Sequence, residues 1–312
     1  MLTTPAGHAE RTLPAPVWDY IQDGAGTGSA LAANRAAFDS VRITPRVLRG
    51  IADPDPATDL FGPVAIPAAI APMAYPMMVH PDGELAVARA AAAARIPMAA
   101  PLLGSVPIET LAQTGATLWY QLYWLRDRGR TTELVRRAQA AGCQALILTI
   151  GAPAVPPDRL ADADLVDPTL SWADLAWLRA QSTLPLLVKG VLHAEDAKWA
   201  VAEGADAIIV SNHGGRHFDA VTPALHALPA IRDAVGCPLI LDSGVRSGLD
   251  VLRALALGAH GVLLGRPILW GLASGADGVT QVLDTVRTEL TDAMRQAGVA
   301  DIAEARTITR IA

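Results

Sequence analysis

Short apolar runs recur along most of the chain, and polar residues return with a helical period between them. The runs are Val64–Ala71, Pro97–Ala100, Leu118–Tyr123, Ala145–Ile150, Leu184–Lys189, Ala207–Ser211, Leu239–Asp242 and Gly261–Leu264. Helical patterns fall at Gly83–Ala94, Thr131–Ala141, Ala173–Gln181, Ala194–Glu203, Ala224–Ala234 and Gly248–Leu257. The runs are continuously apolar rather than alternating, as strands of a parallel sheet covered by helices should be. Eight strands with intervening helices in about 210 residues is the arithmetic of an α/β fold of the (β/α)8 TIM barrel type. An open doubly wound sheet rarely needs eight regular units, and no GxGxxG follows the first run.

Residues 1–60 read as an N-terminal helical extension packing on the barrel, and 61–312 as the barrel with a C-terminal helix. Within the extension, Pro16–Asp23 predicts a short helix carrying Trp18 and Tyr20, and Gly28–Phe38 a second. The tail, Gly275–Ala297, predicts a long amphipathic helix. One loop stands out, Gly151 to Ser171, rich in Pro and Asp between the fourth strand and its helix. Loops at that end of a barrel carry function.

Composition narrows the class. The 312 residues are 51% hydrophobic, enough for one large core. A net charge of −6 without a long basic run excludes nucleic acid as the expected partner. No uncharged apolar run reaches roughly 18 residues, so no membrane span is expected. Met1–Glu10 lacks a basic region followed by an apolar core, so no signal peptide is expected. Cys143 and Cys237 lack metal-type spacing and read as buried structural thiols. The balance is that of a soluble cytoplasmic protein with no metal.

In a barrel of this type, residues at the C-terminal ends of strands face the active site. Here the runs end on Pro72-Met73-Ala74, Gln121-Leu122-Tyr123, Thr149, Lys189, Ser211-Asn212-His213, Asp242-Ser243-Gly244 and Gly265-Arg266. A single polar strand end is usually a hydrogen-bonded core residue. Convergence of six on one rim is hard to explain by packing. The segments Asp242–Gly248 and Gly265–Pro267 suggest a phosphate grip, with glycines admitting backbone N–H groups and Arg246 and Arg266 adding forked donors. Lys189 ends an apolar strand and requires a negative partner. A reduced flavin is one; a Schiff-base lysine is the rival, which leaves Gln121 and Thr149 unexplained.

The run VKGVLHAEDAKWAVAEGADAIIVSNHGGR, with LDSGVRSGLDVLRALALGAHGVLLGRP, resembles the FMN-dependent α-hydroxy-acid oxidases and dehydrogenases, such as glycolate oxidase, lactate oxidase and mandelate dehydrogenase. IAPMAYPMMVHPDGELAVARAA and WYQLYWLRD resemble the hydroxymandelate oxidase branch. The resemblance implies FMN as cofactor and a homotetramer. It implies that Pro72, Met73 and Ala74 line the flavin, that Gln121 and Thr149 bond its ring, and that Lys189 faces it. Asp242, Gly244, Arg246, Gly265 and Arg266 would hold the ribityl chain and phosphate. Tyr20 and Tyr123 would contact a small-molecule substrate, with Leu103 and Arg159 beside it. Arg216 would clamp a carboxylate, and His213 would be the base.

The chain departs from the family pattern at three points. Gly151 stands where an aspartate pairs the histidine, Asp158-Arg159 shifts a second carboxylate-binding arginine by one residue, and Pro101 replaces a serine. The expected activity is oxidation of a bulky or aryl 2-hydroxy acid to the 2-oxo acid. The departures also raise an altered chemistry on a larger biosynthetic intermediate, either carrier-bound or lacking a free carboxylate. A third reading, a non-catalytic flavin scaffold, conflicts with the retention of Tyr20, Tyr123, His213 and Arg216.

Overall fold

The computed structural model describes residues 4–151, 166–308 and 310–311. Eight parallel strands close into a barrel: β4 (Ala68–Ile70), β5 (Met98–Ala100), β6 (Leu118–Leu122), β7 (Ala145–Thr149), β8 (Leu186–Val191), β9 (Ala207–Val210), β10 (Leu239–Leu241) and β11 (Gly261–Leu264), with β11 pairing back onto β4. Each is followed by a helix: α4 (Gly83–Ala94), α5 (Ile108–Ala112), α6 (Arg128–Ala140), α7 (Trp172–Ala180), α8 (Ala194–Ala202), α9 (Ala224–Ala234), α10 (Gly248–Ala256) and α11 (Arg266–Leu272). Before the barrel come α1 (Pro5–Thr12), α2 (Ala15–Gln22) and α3 (Ser29–Ser40). After it come α12 (Gly275–Ala297) and α13 (Ile302–Ala305). No helix among the described residues is long and apolar enough to cross a membrane.

Alternation along each strand explains why the runs are apolar throughout, since successive side chains point to opposite faces. Ala69, Ala99, Trp119, Ala145, Ile147, Leu187, Ala207, Ile209, Ile240 and Leu263 pack together inside the barrel. Their neighbours, among them Ile70, Leu146, Val188, Ile208 and Val262, join the larger layer under the helices. Alanines on β4, β5, β7 and β9 leave room inside for the indole of Trp119.

The first apolar run does not form one strand. It divides at Pro67 into the barrel strand β4 and a two-residue strand, β3 (Pro63–Val64), which pairs antiparallel with β2 (Thr58–Asp59). Proline removes the donor a continuous ladder would need. The hairpin carries Leu60 and Val64 into the barrel interior. Phe61 meets Trp119 edge-to-face at 6.0 Å. An added Cβ at Gly261 would stand 2.8 Å from Leu60 Cδ1, so this strand position admits the leucine only as glycine. The hairpin therefore plugs the N-terminal end of the barrel and leaves the other end open. At the edge, β1 (Arg42–Ile43) pairs with β12 (Arg310–Ile311).

The helices α1 and α11 were not legible as periodic segments. Both are short and start on proline-bearing turns. Of the two cysteines, Cys143 is buried but Cys237 is only half-buried, because it lies in the turn entering β10 rather than in the core. His193 caps α8, its Nδ1 accepting from Glu195 N (3.3 Å), and His260 Nδ1 accepts from Leu239 N at the start of β10 (3.0 Å).

Truncating a buried leucine leaves a cavity that costs about 2–5 kcal/mol. Leu60→Ala should lower stability by that amount in urea denaturation. An unchanged midpoint would contradict the plug.

Candidate active site

The inward parity of the interior residues continues past the apolar layer. Two residues beyond Trp119 comes Gln121; two beyond Ile147 comes Thr149; Leu187 leads to Lys189, Ile209 to Ser211, and Ile240 to Asp242. These five form a polar layer on top of the barrel core, and all are buried. Buried polar groups need partners, and the layer supplies its own. Gln121 Nε2 donates to Thr149 Oγ1 at 3.0 Å, and its Oε1 accepts from Leu102 N at 3.2 Å. Lys189 Nζ lies 3.0 Å from Asp242 Oδ2 and donates to Ser211 Oγ at 3.1 Å, while Ser211 Oγ donates to Asp242 Oδ2 at 2.6 Å. The negative partner that Lys189 requires is therefore present in the chain itself. Burial alone would raise the Asp242 carboxyl, but the Lys189 ammonium and the bonds from Ser211 and Lys189 outweigh it and hold it below the ordinary value.

Above this layer lies a cleft. It is lined by Tyr20, Pro72, Met73, Ala74, Leu103, Gln121, Tyr123, Thr149, Lys189, His213, Arg216, Asp242, Gly244, Arg246, Gly265 and Arg266, so every site residue named from the sequence meets there except Arg159. Arg159, with Asp158, lies outside the described residues. Pro101 is at the cleft wall.

The SNHGGR segment turns sharply. His213, Gly214 and Gly215 have φ of 55°, 66° and 75°. An added Cβ at Gly215 would stand 2.9 Å from Leu31 N, so α3 packs directly on this glycine. For His213 the left-handed conformation costs on the order of 1–3 kcal/mol. Surrounding bonds enforce it: His213 N donates to Ser211 Oγ (3.0 Å), Gly214 N to Ser243 Oγ (2.9 Å) and Gly215 N to Asn212 Oδ1 (3.1 Å). Asn212 and Asn34 exchange side-chain hydrogen bonds at 2.9 and 2.8 Å. Asp219 accepts from Thr27 N, Thr27 Oγ1 and Ala30 N, and these bonds lower its pKa. The residues from α2 to α3 thus close one side of the cleft. Asn34 and Asp219 were not picked out in the sequence, because their partners across the site lie 178 to 192 residues away along the chain.

His213 faces the cleft, but its Nδ1 is buried and has no hydrogen-bond partner among the described residues. Burial, then Lys189, His217, Arg216 and Arg266, push the imidazole well below its ordinary value. Arg216 Nη1 donates to the Tyr20 and Asp23 carbonyls at 2.9 and 3.1 Å, and its guanidinium lies 4.8 Å over the Tyr20 ring. Arg266 donates to Ile21 O, Asp23 O and Gly214 O. These two arginines satisfy the carbonyls at the C-terminal end of α2. Burial pushes the Tyr123 phenol up to about 12, with Tyr20 and Tyr75 contributing.

Gly151 is the next inward position after Thr149. An added Cβ there would stand 2.8 Å from Gly190 Cα and 3.1 Å from Gly190 O. The converse Cβ on Gly190, which has φ 113°, would strike Gly151 N. The β7 and β8 ends therefore touch as bare backbone, and the room an aspartate would need is closed.

The cleft carries an excess of positive charge. Among its described lining residues, Lys189, Arg216, Arg246 and Arg266 face one carboxylate, Asp242. Asp242 is taken by Lys189, so three guanidiniums remain for anions. Burial, then repulsion from Arg266 and Arg35, brings Arg246 down to about 9, and burial with repulsion from Arg216 brings Arg266 down to about 10. Arg246 is fixed by its backbone N–H to Asp250 Oδ2 (2.9 Å), which also pairs with Arg35 (2.7 Å), and it lies 5.0 Å over Trp270. Ser243 and Gly244, with φ of 84° and 91°, turn the chain beneath it.

The model of the FMN-dependent dehydrogenases matches residues 9–165 and 157–310. The chain belongs to this family. It is 41% identical over 336 residues to 4-hydroxymandelate oxidase of Amycolatopsis orientalis, covering 96% of this chain and 94% of that one. It is 39% identical to L-lactate oxidase of Nostoc sp., covering 93% and 92%. Mandelate oxidase solved with 3,3-difluoro-2-hydroxy-3-phenylpropionic acid superposes with a TM-score of 0.93 at 42% identity, covering 98% and 97%. FMN is the family's cofactor, and the cleft suits it: crowded guanidiniums fit a phosphate, and the Gln121–Thr149–Lys189 layer offers both donors and acceptors to a flat heterocycle.

Removing one member of a buried ion pair costs about 3–5 kcal/mol, whereas replacing both by apolar residues is often neutral. Lys189→Met should destabilise the apoprotein by that amount in denaturant titration, and Lys189→Met/Asp242→Leu should recover much of it. Equal stability of Lys189→Met and the parent would contradict the brace.

Proposed function

We propose that the chain oxidises a 2-hydroxy acid with a bulky or aryl substituent to the corresponding 2-oxo acid. The observation that carries this reading is the juxtaposition of His213 and Arg216 in one cleft with Tyr20 and Tyr123, in a chain of the FMN-dependent dehydrogenase family. Arg216 receives the substrate carboxylate, since its planar donors match both oxygens. Its anchoring on the Tyr20 and Asp23 carbonyls fixes where the acid sits. Tyr123, with its phenol raised to about 12, stays protonated at working pH and donates to the acid. His213 is neutral at neutral pH and takes one proton, from Cα or from the hydroxyl.

Bound FMN supplies the two-electron acceptor. Gln121, Thr149 and Lys189, with the backbone of Pro72–Ala74, would hold its ring. Asp242, Gly244, Arg246, Gly265 and Arg266 would hold its ribityl chain and phosphate. Leu103 and Met73 would wall the substrate. The aryl preference is supported by these apolar walls and by the mandelate-type acids named for the relatives.

The same reading includes a homotetramer in the cytoplasm. Exposed Trp199 and Phe218 support self-association, and two free cysteines suit a reducing compartment. Sedimentation at a single tetramer mass tests the first point.

General-base catalysis contributes about 100- to 10,000-fold. His213→Ala holoenzyme should show that loss in anaerobic flavin bleaching while retaining FMN. Burying a phenyl ring is worth about 2–3 kcal/mol. Mandelate should therefore exceed glycolate in kcat/KM by about 30- to 150-fold. Equal values would remove the aryl preference, and bleaching by no 2-hydroxy acid would remove the reaction.

A further inference from the structure

A histidine that takes a proton works best when a third group fixes its ring, as a neighbouring carboxylate commonly does. Here the adjoining strand end offers Gly151, and the Gly190 backbone fills the place of its Cβ. The Nδ1 of His213 is buried and has no hydrogen-bond partner among the described residues. What does touch the ring is another imidazole. His217 stands edge-to-face on His213, with centroids 4.3 Å apart and planes at 87°. Both rings border the cleft.

The turn that brings them together is built for it. Left-handed backbone at His213, Gly214 and Gly215 folds the chain back within a single turn, so the side chains at the first and fifth positions meet. Asp219, two residues beyond His217, is locked to Thr27 and Ala30, which fixes the far end of the turn. His217 is thus held by the same loop that carries His213.

We propose that His217 is the positioning residue for His213, holding its imidazole by ring contact where no strand-end carboxylate is available. The proposal rests on the reading of His213 as the base. An aromatic edge-to-face pair fixes ring orientation without supplying negative charge. Among the described residues, the other charged groups near His213 are Lys189 on β8, paired with Asp242 after β10, Arg216 on its own turn, and Arg266 at the start of α11. The phenols of Tyr20 and Tyr123 border the same cleft. Lys189, His217, Arg216 and Arg266 all act in one direction, toward a neutral His213. Removing His217 should therefore let His213 titrate closer to the ordinary histidine value.

The test uses FMN-loaded enzyme and mandelate in anaerobic single turnover, with far-UV circular dichroism and flavin absorbance to confirm folding and loading. His217→Ala should slow flavin bleaching by about 10- to 100-fold with KM little changed. His217→Phe, which restores a flat ring, should recover most of that loss. The acid limb of the rate profile should move upward in both variants, and NMR titration of selectively labelled His213 should show the same shift without turnover. In a His213→Ala background, His217→Ala should add nothing, because the effect passes through His213. Parent-like bleaching by His217→Ala, or an equal further loss on the His213→Ala background, would overturn the proposal. If His213→Ala itself bleaches like the parent, the base assignment fails instead.

Discussion

One buried cation organises the mouth of this barrel. Lys189 ends β8 on the inward parity, where an unpaired ammonium would be costly. Asp242 after β10 and Ser211 after β9 meet it, so a single cluster ties three consecutive strand ends together. The cluster also sets the charge of everything above it. With Asp242 neutralised by Lys189, the remaining charge among the described lining residues is that of Arg216, Arg246 and Arg266. An anionic cofactor and a carboxylate substrate are what such a surplus favours, and the family of the chain supplies the first of these.

The second constraint comes from outside the barrel. Arg216 and Arg266 end on carbonyls of α2, Asn212 pairs with Asn34 of α3, and Asp219 caps the turn before α3. The turn at His213 is therefore clamped between its own strand and the N-terminal helices. This clamp lets a histidine persist at φ 55°, a conformation that the isolated chain would leave. A rigid turn suits the role proposed for His213, since a base must meet its proton in one geometry.

Much of this was legible in the sequence, for a physical reason. Strands buried on both faces leave an unbroken apolar signature, so the barrel and its strand ends could be read directly, and the polar ends fell into one cleft. The Val64–Ala71 run misled because Pro67 splits it between a hairpin and a strand, and both pieces are apolar since both enter the core. Lys189 was seen to need a negative partner, but Asp242 could not be picked as that partner without the register of β8, β9 and β10. Gly151 read as an empty place beside His213. The backbone of Gly190 occupies it, and only the approach of two strand ends could reveal that. The contact between His217 and His213 was not legible, because spacing along the chain does not show a left-handed turn bringing two rings together.

The proposed reaction places an acid with its carboxylate on Arg216, its hydroxyl toward His213 and its substituent toward Leu103 and Met73. A crystal structure of the FMN-loaded enzyme with a slowly reacting aryl 2-hydroxy acid tests it most directly. The account predicts both carboxylate oxygens on the Arg216 guanidinium and the hydroxyl within about 2.6–3.2 Å of an imidazole nitrogen of His213. A carboxylate bound elsewhere, with His213 out of reach of the hydroxyl, would contradict it.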